Sequence, residues 1–354
     1  MEAGPQKPGK KKALNPAPKP KQASPAPLFA PSDPASEVLN PEQAKAAEYR
    51  EGHMIVRAGP GTGKTRLLVQ RAMGLLQEGA APEQILLITF TRKAAGELRE
   101  RLAASMPTAN KVLATTFHAL GRQVLAQANG SDPTIIEDDQ RQSIIKRIAE
   151  QADMKPSDLE LAISAHKQRL DDEPAPELAP LWQAYEAALH EYGAVDLDDL
   201  VRGAVLALRA DYNLAQTWRN CFRHVLVDEY QDVNQVQVAL LQALTGPQTQ
   251  VAAIGDPDQA IYGFRGADRR FFARFARDFS GAAQLELSQN YRSTAPIIAA
   301  AQGLMSAEPD ALRQDLKALT GRGTMPGIIA LPSPEAEARW VADSIAALIG
   351  GVDS

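Results

Sequence analysis

The stretch RAGPGTGKT, Arg57 to Thr65, constrains this chain more than any other. It is a glycine-rich turn that closes on a lysine and a hydroxyl. The apolar triplet Met54-Ile55-Val56 precedes it, and Leu67, Leu68, Ala72, Leu75 and Leu76 mark one helical face after it. Strand, glycine loop and helix in that order form a phosphate cradle, because glycines free backbone N–H groups to converge on phosphate oxygens and the helix directs its positive end at them. The cradle runs through Ala58, Gly59, Pro60, Gly61, Thr62, Gly63, Lys64 and Thr65. In it Lys64 reaches the β- and γ-phosphates and Thr65 holds Mg²⁺. Ala58 stands where the strict pattern has glycine, which fits the looser form in which a small residue suffices.

The other apolar runs are judged by whether they complete this site. Gln84 to Phe90 is continuous and of strand length, as in a parallel strand buried on both faces, and leads into TFTRKAAGELRERL. Thr89, Thr91 and Arg92 therefore stand at a strand's carboxyl end, where open α/β sheets place ligand contacts; helix capping explains the threonines equally well. Val112 to Thr115 runs into Thr116-Phe117-His118, and His118 has no Cys or His nearby with which to hold a metal. Val225-Leu226-Val227 is followed at once by Asp228 and Glu229. The first carboxylate there can hold Mg²⁺ with Thr65, and the second can orient and deprotonate an attacking water. Val251 to Ile254 opens into GDPDQAIYGFRGAD, in which Tyr262 and Phe264 flank Gly263 as a platform for stacked bases, worth about 1 to 3 kcal/mol per base. Leu285-Glu286-Leu287 leads to QNYRS, placing Arg292 where a transition-state charge clamp would sit.

Between these runs the chain changes character. Residues 1 to 36 are rich in Pro, Lys and Ala, with Lys7, Lys10, Lys11, Lys12, Lys19 and Lys21; the segment is expected to be a disordered, solvated tail with at most a weak, salt-sensitive pull on nucleic acid. Asn40-Pro41-Glu42-Gln43 starts a helix, with Asn40 as N-cap and Gln43 completing a capping box, although the Gln43 amide could also read an adenine edge. From about Leu120 to Leu200 only helical patterns occur, among them Ile144, Ile145 and Ile148, then Leu181, Trp182, Tyr185 and Leu189, with Asp171-Asp172-Glu173-Pro174 as a solvated turn. Lys64 and Asp228 stand much further apart than two or three βα units need, so this helical segment is an insertion.

Composition mainly excludes. With 38 Lys and Arg against 43 Asp and Glu, the net charge of -5 makes any polyanion-binding surface a local patch. The single cysteine, Cys221, forbids an internal disulfide or a multi-cysteine metal cluster. No apolar run approaches the about 18 residues of a membrane span, which with the lone cysteine points to a cytoplasmic protein.

LNPEQ, AGPGTGKT, TFTRKAAGELRERL, TFH, VLVDEYQD, GDPDQAIYGFRGA and QNYRS, in this order, resemble the superfamily 1A DNA helicases of the UvrD, Rep and PcrA type. That resemblance implies a P-loop NTPase with a RecA-like parallel sheet, an inserted helical subdomain and an incomplete second RecA-like domain. It implies a first domain, 1A, over 37–118 and 195–280, a helical insertion, 1B, over 119–194, and the start of 2A over 281–354, with Asp196-Leu197-Asp198-Asp199-Leu200 as the return into 1A. It implies that Gln43 reads adenine, that Arg66 and Tyr291 bracket the base, that Gln259 senses the γ-phosphate and that Arg292 is an arginine finger. Phe90, Thr91, His118, Tyr262 and Phe264 would line the path of a single DNA strand, or of the single-stranded tail of a duplex. ATP and Mg²⁺ are the implied cofactors.

The resemblance also sets a limit. Two family motifs that finish 2A are missing, and the residues after Arg292 give two helical stretches, a strand at Gly327 to Leu331 and a helix with Val341, Ile345, Leu348 and Ile349 inward. The chain is thus expected to be the N-terminal part of a split or truncated helicase. It would bind ATP and single-stranded DNA but unwind little by itself, with a separate chain supplying the rest of 2A.

Overall fold

The computed structural model describes residues 38–170, 173–263, 266–308 and 314–349. The lysine-rich segment of residues 1–36, the Asp171-Asp172 pair and Phe264 lie outside these residues. Strands β1 (Met54–Ala58), β2 (Ile85–Thr89), β3 (Leu113–Thr116), β4 (His224–Val227), β5 (Gln250–Gly255) and β6 (Ala283–Leu287) form one all-parallel sheet. Their spatial order is β3-β2-β4-β5-β1-β6. Side chains alternate across a strand, so each apolar run serves two cores. Met54, Val56, Ile85, Leu87, Leu226 and Ile254 face one side; Ile55, Leu86, Ile88, Val225, Val227 and Val251 face the other. Burial on both faces is why these strands read as continuous hydrophobic stretches, each Leu or Ile contributing about 1.5 to 3 kcal/mol.

Helices α1 (Pro41–Glu48), α2 (Lys64–Gln77) and α3 (Arg92–Ser105) cover the first face. After β3 come α4 (Phe117–Asn129) and then α5 (Asp138–Gln151), α6 (Pro156–Lys167) and α7 (Ala179–Glu191). The chain returns to β4 through α8 (Leu197–Ala210) and α9 (Tyr212–Cys221). The second face is covered by α4, α8, α9, α10 (Gln235–Leu244) and α11 (Arg270–Asp278). Helices α5, α6 and α7 instead bury Ile144, Ile145, Ile148, Leu159, Ile163, Tyr185 and Leu189 in a small core of their own.

Packing at the two expected boundaries is continuous with the sheet. Helix α4 spans the position, 119, at which the insertion was expected to begin. Its Leu120, Val124 and Leu125 lie in the core under the sheet, and a Cβ on Gly121 would come within 2.3 Å of the Leu200 carbonyl of α8. The sheet also runs past 280, because β6 pairs along the whole of β1, from Met54 with Ala283 to Ala58 with Leu287. Only after Leu287 does a separate βαβ unit follow, made of β7 (Gln289–Thr294), α12 (Ala295–Ser306) and β8 (Lys317–Thr320), the two strands pairing in parallel.

The last expectations fail for a local reason. Gly327 to Leu331 is not a strand, since the strand of this region is β8, and Ile328 is fully exposed. The final helix, α13 (Pro334–Ile349), has no buried residue; Val341, Ile345, Leu348 and Ile349, expected to face inward, are all exposed.

Candidate nucleotide and nucleic-acid site

The glycine loop leaves β1 at Ala58 and enters α2 at Lys64. Gly61 and Gly63 have φ of +68° and +88°, a left-handed backbone that favours glycine. Ala58, by contrast, is the last residue of the strand and is fully buried, so a methyl group fits there and the departure from glycine is harmless. The Thr62 hydroxyl donates to Gly59 O at 2.8 Å and pins the turn. Lys64 Nζ lies 3.4 Å from Ala58 O and 3.8 Å from Glu229 Oε2, folded back along the loop.

Gln43 braces the same loop from α1. Its Oε1 accepts from Asn40 N–H at 3.2 Å, its Nε2 donates to Thr62 O at 2.9 Å, and the side chain is fully buried. Of the two readings left open for Gln43, the cap is the one realised here; contact with a base would require one of these atoms to be exposed.

Opposite the loop, β4 and β5 end side by side. Asp228 follows β4, its N–H donating to Ile88 O at 2.8 Å, and Asp256 follows β5. Burial, reinforced by the Glu229 charge, pushes the Asp228 carboxyl up to about 7. Burial and Glu229 likewise raise Asp232 to about 6, and burial raises Asp256. Glu229 adopts φ +49°, a left-handed conformation that a non-glycine residue enters only at a cost. Gln259 donates to Asp256 Oδ2 at 2.6 Å. Among the described residues no group of three or more His, Cys, Asp or Glu could hold a metal by itself. An Mg²⁺ ion at Thr65 and Asp228 would therefore take phosphate oxygens and water as its other ligands, as this ion commonly does.

The βαβ unit approaches the loop from the far side. Tyr291 N–H donates to Gly61 O at 2.9 Å, Asn290 Nδ2 donates to Pro60 O, and Asn40 Nδ2 donates to the Tyr291 hydroxyl at 2.7 Å. Glu42 accepts from both the N–H and the hydroxyl of Ser288, at 2.7 and 2.6 Å. A Cβ on Gly61 would lie 2.7 Å from Arg292 Cβ, which puts Arg292 beside the cradle with an exposed side chain. Arg66 stands in the first turn of α2, its Cβ 3.9 Å from where a Gly63 side chain would begin. Beside Pro60, Asp256 and Gln259 a cavity of about 520 Å³ opens, closed on the other side by Gln302, Gln314 and Leu316.

A second cavity, about 740 Å³, lies at the ends of β2, β3 and β5 and is lined by Phe90, Arg92, His118 and Tyr262. The Phe90 and Tyr262 rings stack there, with centroids 5.1 Å apart and planes at 23°. Burial lowers the His118 pKa, favouring the neutral imidazole at pH 7. Thr91 does not line this cavity; its hydroxyl caps α3 by accepting from Ala94 N–H at 3.1 Å.

Residues 39–280 match the family described as the UvrD/REP helicase N-terminal domain. The chain belongs to this family. It is similar to ATP-dependent DNA helicase UvrD1 of Mycobacterium tuberculosis, at 33% identity covering 91% of this chain and 46% of that protein. It is also similar to ATP-dependent DNA helicase PcrA of Leuconostoc citreum, at 32% identity over 80% of this chain and 41% of the relative. DNA helicase II of Salmonella typhimurium is 34% identical over 75% of this chain and 40% of its own length. The chain thus spans less than half the length of these curated relatives.

Two features of this UvrD/REP-family chain emerge only from its packing. Gln231 and Asp232 stood inside VDEYQD, yet only the geometry shows both of them buried beside Glu229. Lys167 had no sequence signal at all. It is fully buried and paired with Glu186, Asp196 and Asp199, carboxylates brought from two other elements.

Proposed function

We propose that the chain is the ATP-binding part of a UvrD-type, ATP-dependent DNA helicase that binds Mg²⁺ with ATP and single-stranded DNA. In the complete enzyme, hydrolysis would drive 3′-to-5′ translocation and unwinding in DNA repair or replication. One observation carries the reading: the glycine loop, Asp228-Glu229 and Asp256-Gln259 leave the adjacent strands β1, β4 and β5 at the same edge of the sheet.

In this reading Lys64 gives up the Ala58 carbonyl for the β- and γ-phosphates, and the N–H groups of the loop hold the remaining oxygens. Thr65 and Asp228 would hold Mg²⁺, which when bound supplies positive charge against the phosphate oxygens. Glu229 takes the proton of the attacking water, Gln259 touches the γ-phosphate, and Arg292 balances the charge that develops there. Gln43 braces the loop, while Arg66 and Tyr291 flank the base. Phe90, His118 and Tyr262 accept the DNA strand, the two rings offering stacking faces that tolerate any sequence.

A second reading, a nucleotide- and DNA-binding module with little turnover of its own, is favoured by α13, which buries none of its residues. ATP hydrolysis measured with and without single-stranded DNA, beside Lys64→Ala and Glu229→Gln, separates the two. Turnover stimulated by DNA and lost in Lys64→Ala supports the motor, with Glu229→Gln still binding ATP. Binding without turnover supports the module, and equal loss of binding and hydrolysis in Glu229→Gln would remove Glu229 as the base.

A further inference from the structure

Gln231 is 2% exposed and makes three hydrogen bonds that join two loops of the site. Its Nε2 donates to Glu229 Oε2 at 2.8 Å and to Asp232 Oδ2 at 3.2 Å, and its Oε1 accepts from Asp256 N–H at 2.9 Å. Asp256 in turn accepts from Gln259 Nε2 at 2.6 Å and from Asp258 N–H at 3.1 Å. An unbroken chain of bonds therefore runs from Glu229 to Gln259 through Gln231 and Asp256.

The surroundings are shaped to admit this amide. A Cβ on Gly255 would lie 2.4 Å from Gln231 Oε1 and 3.0 Å from Tyr230 N, so any larger residue at the end of β5 would push the amide out. Glu229 has left-handed φ and ψ, so an ordinary helical backbone does not set its direction. Gln231 Nε2 and Lys64 Nζ both approach Oε2 of Glu229, which leaves Oε1 without a hydrogen bond among the described residues.

We infer that Gln231 is a positioning residue: it turns Oε1 of Glu229 toward the water and ties that carboxylate to the loop bearing Gln259, so that base and γ-phosphate contact move together. The inference rests on the hydrolytic reading above. Only an amide suits the position, because the group must donate to carboxylates on one side and accept a backbone N–H on the other. A glutamate would keep the acceptor and lose the donor, adding a third carboxylate beside Glu229 and Asp232. A leucine would fill the space and lose both.

Gln231→Leu and Gln231→Glu made in the full chain test this, with thermal unfolding to confirm the fold. Amide hydrogen exchange at Asp256 needs no nucleotide. It should be about tenfold faster in Gln231→Leu and stay near wild type in Gln231→Glu, which keeps the acceptor. Both variants should lower kcat for ATP about 10- to 100-fold with little change in KM, the signature of a misplaced group and not of lost binding. Unchanged exchange at Asp256 in Gln231→Leu would overturn the tie. Unchanged kcat, or kcat and ATP binding lost together, would overturn the positioning role. If the wild-type chain binds ATP without turning it over, the hydrolytic reading fails by itself and the tie is decided by the exchange result alone.

Discussion

Two clusters of buried charge differ in how they are closed. In the insertion, Lys167 Nζ meets Asp199 at 2.6 Å and Glu186 and Asp196 at 2.9 Å. The Tyr185 hydroxyl donates to Asp196 at 2.8 Å, and the Trp182 and Tyr185 rings lie 5.3 and 5.1 Å from the ammonium. Burial opposes the charge on Lys167, but the three carboxylates outweigh it and hold the ammonium above its ordinary value. At the glycine loop, Asp228, Glu229, Asp232 and Asp256 gather around Lys64, whose only carboxylate partner among the described residues is Glu229, at 3.8 Å. The first cluster gives each carboxylate a direct bond to one ammonium and joins α6, α7 and the start of α8. The second leaves negative charge unanswered by any cation closer than Lys64 among the described residues.

The largest expected effect follows directly. Lys167→Met strands buried carboxylates and should destabilise the chain by about 3 to 5 kcal/mol in denaturant unfolding, with the insertion opening first. Lys64→Met should change stability by less than about 1 kcal/mol and abolish ATP binding. Equal losses in the two variants would erase the distinction between the clusters.

Next is Asp228→Asn, which removes a charge the fold holds at a cost. Without nucleotide it should stabilise the chain by about 2 kcal/mol at pH 7.5, while losing Mg²⁺-dependent nucleotide binding. Destabilisation would mean that Asp228 is already well paired, like Asp196 beside Lys167.

The two clusters should also separate by pH. Asp228 is raised to about 7, and so is Asp199, through burial and the Asp196 charge. A carboxyl with a raised pKa keeps its proton in the fold after the unfolded chain has lost it at about pH 4, so its contribution to stability falls as pH rises toward 7. His224 acts oppositely: burial and nearby arginines hold it at about 4, and stability is lost as pH drops from about 6.5 toward that value. The measurement is therefore the difference between variant and wild type. Asp228→Asn and Asp199→Asn should each flatten the fall between pH 5 and 7.5, by about equal amounts. Mg²⁺ with an ATP analogue should cancel the Asp228 part and leave the Asp199 part untouched.

What the sequence disclosed follows the same division. Strands β2 and β5 were legible because two buried faces demand uninterrupted apolar residues, and the turns after β1 and β4 because each is a short contiguous run at a strand end. That α4 packs under the sheet was not legible, because an apolar face looks the same whichever core receives it. The apolar stretch at Gly327 to Leu331 passed for a strand because β propensity does not reveal that no partner lies beside it. The Lys167 cluster was invisible because its members are ordinary charged residues scattered along the sequence and assembled only by packing. Capping boxes, whose partners are three residues apart, were found at Asn40-Gln43, where the structure contains both bonds.

The smallest effect concerns Gln43, a buried polar group beside the loop that is nonetheless closed like the insertion cluster. Each end of its amide has a protein partner, so Gln43→Ala removes two hydrogen bonds and should cost about 1 to 2 kcal/mol of stability. If Gln43 only braces Thr62, ATP and GTP affinity should fall by the same factor, since a loosened loop grips either triphosphate less well. Competition binding with both nucleotides reads this out. A loss confined to ATP would give Gln43 to the adenine edge and place it with the ligand-directed groups around Lys64.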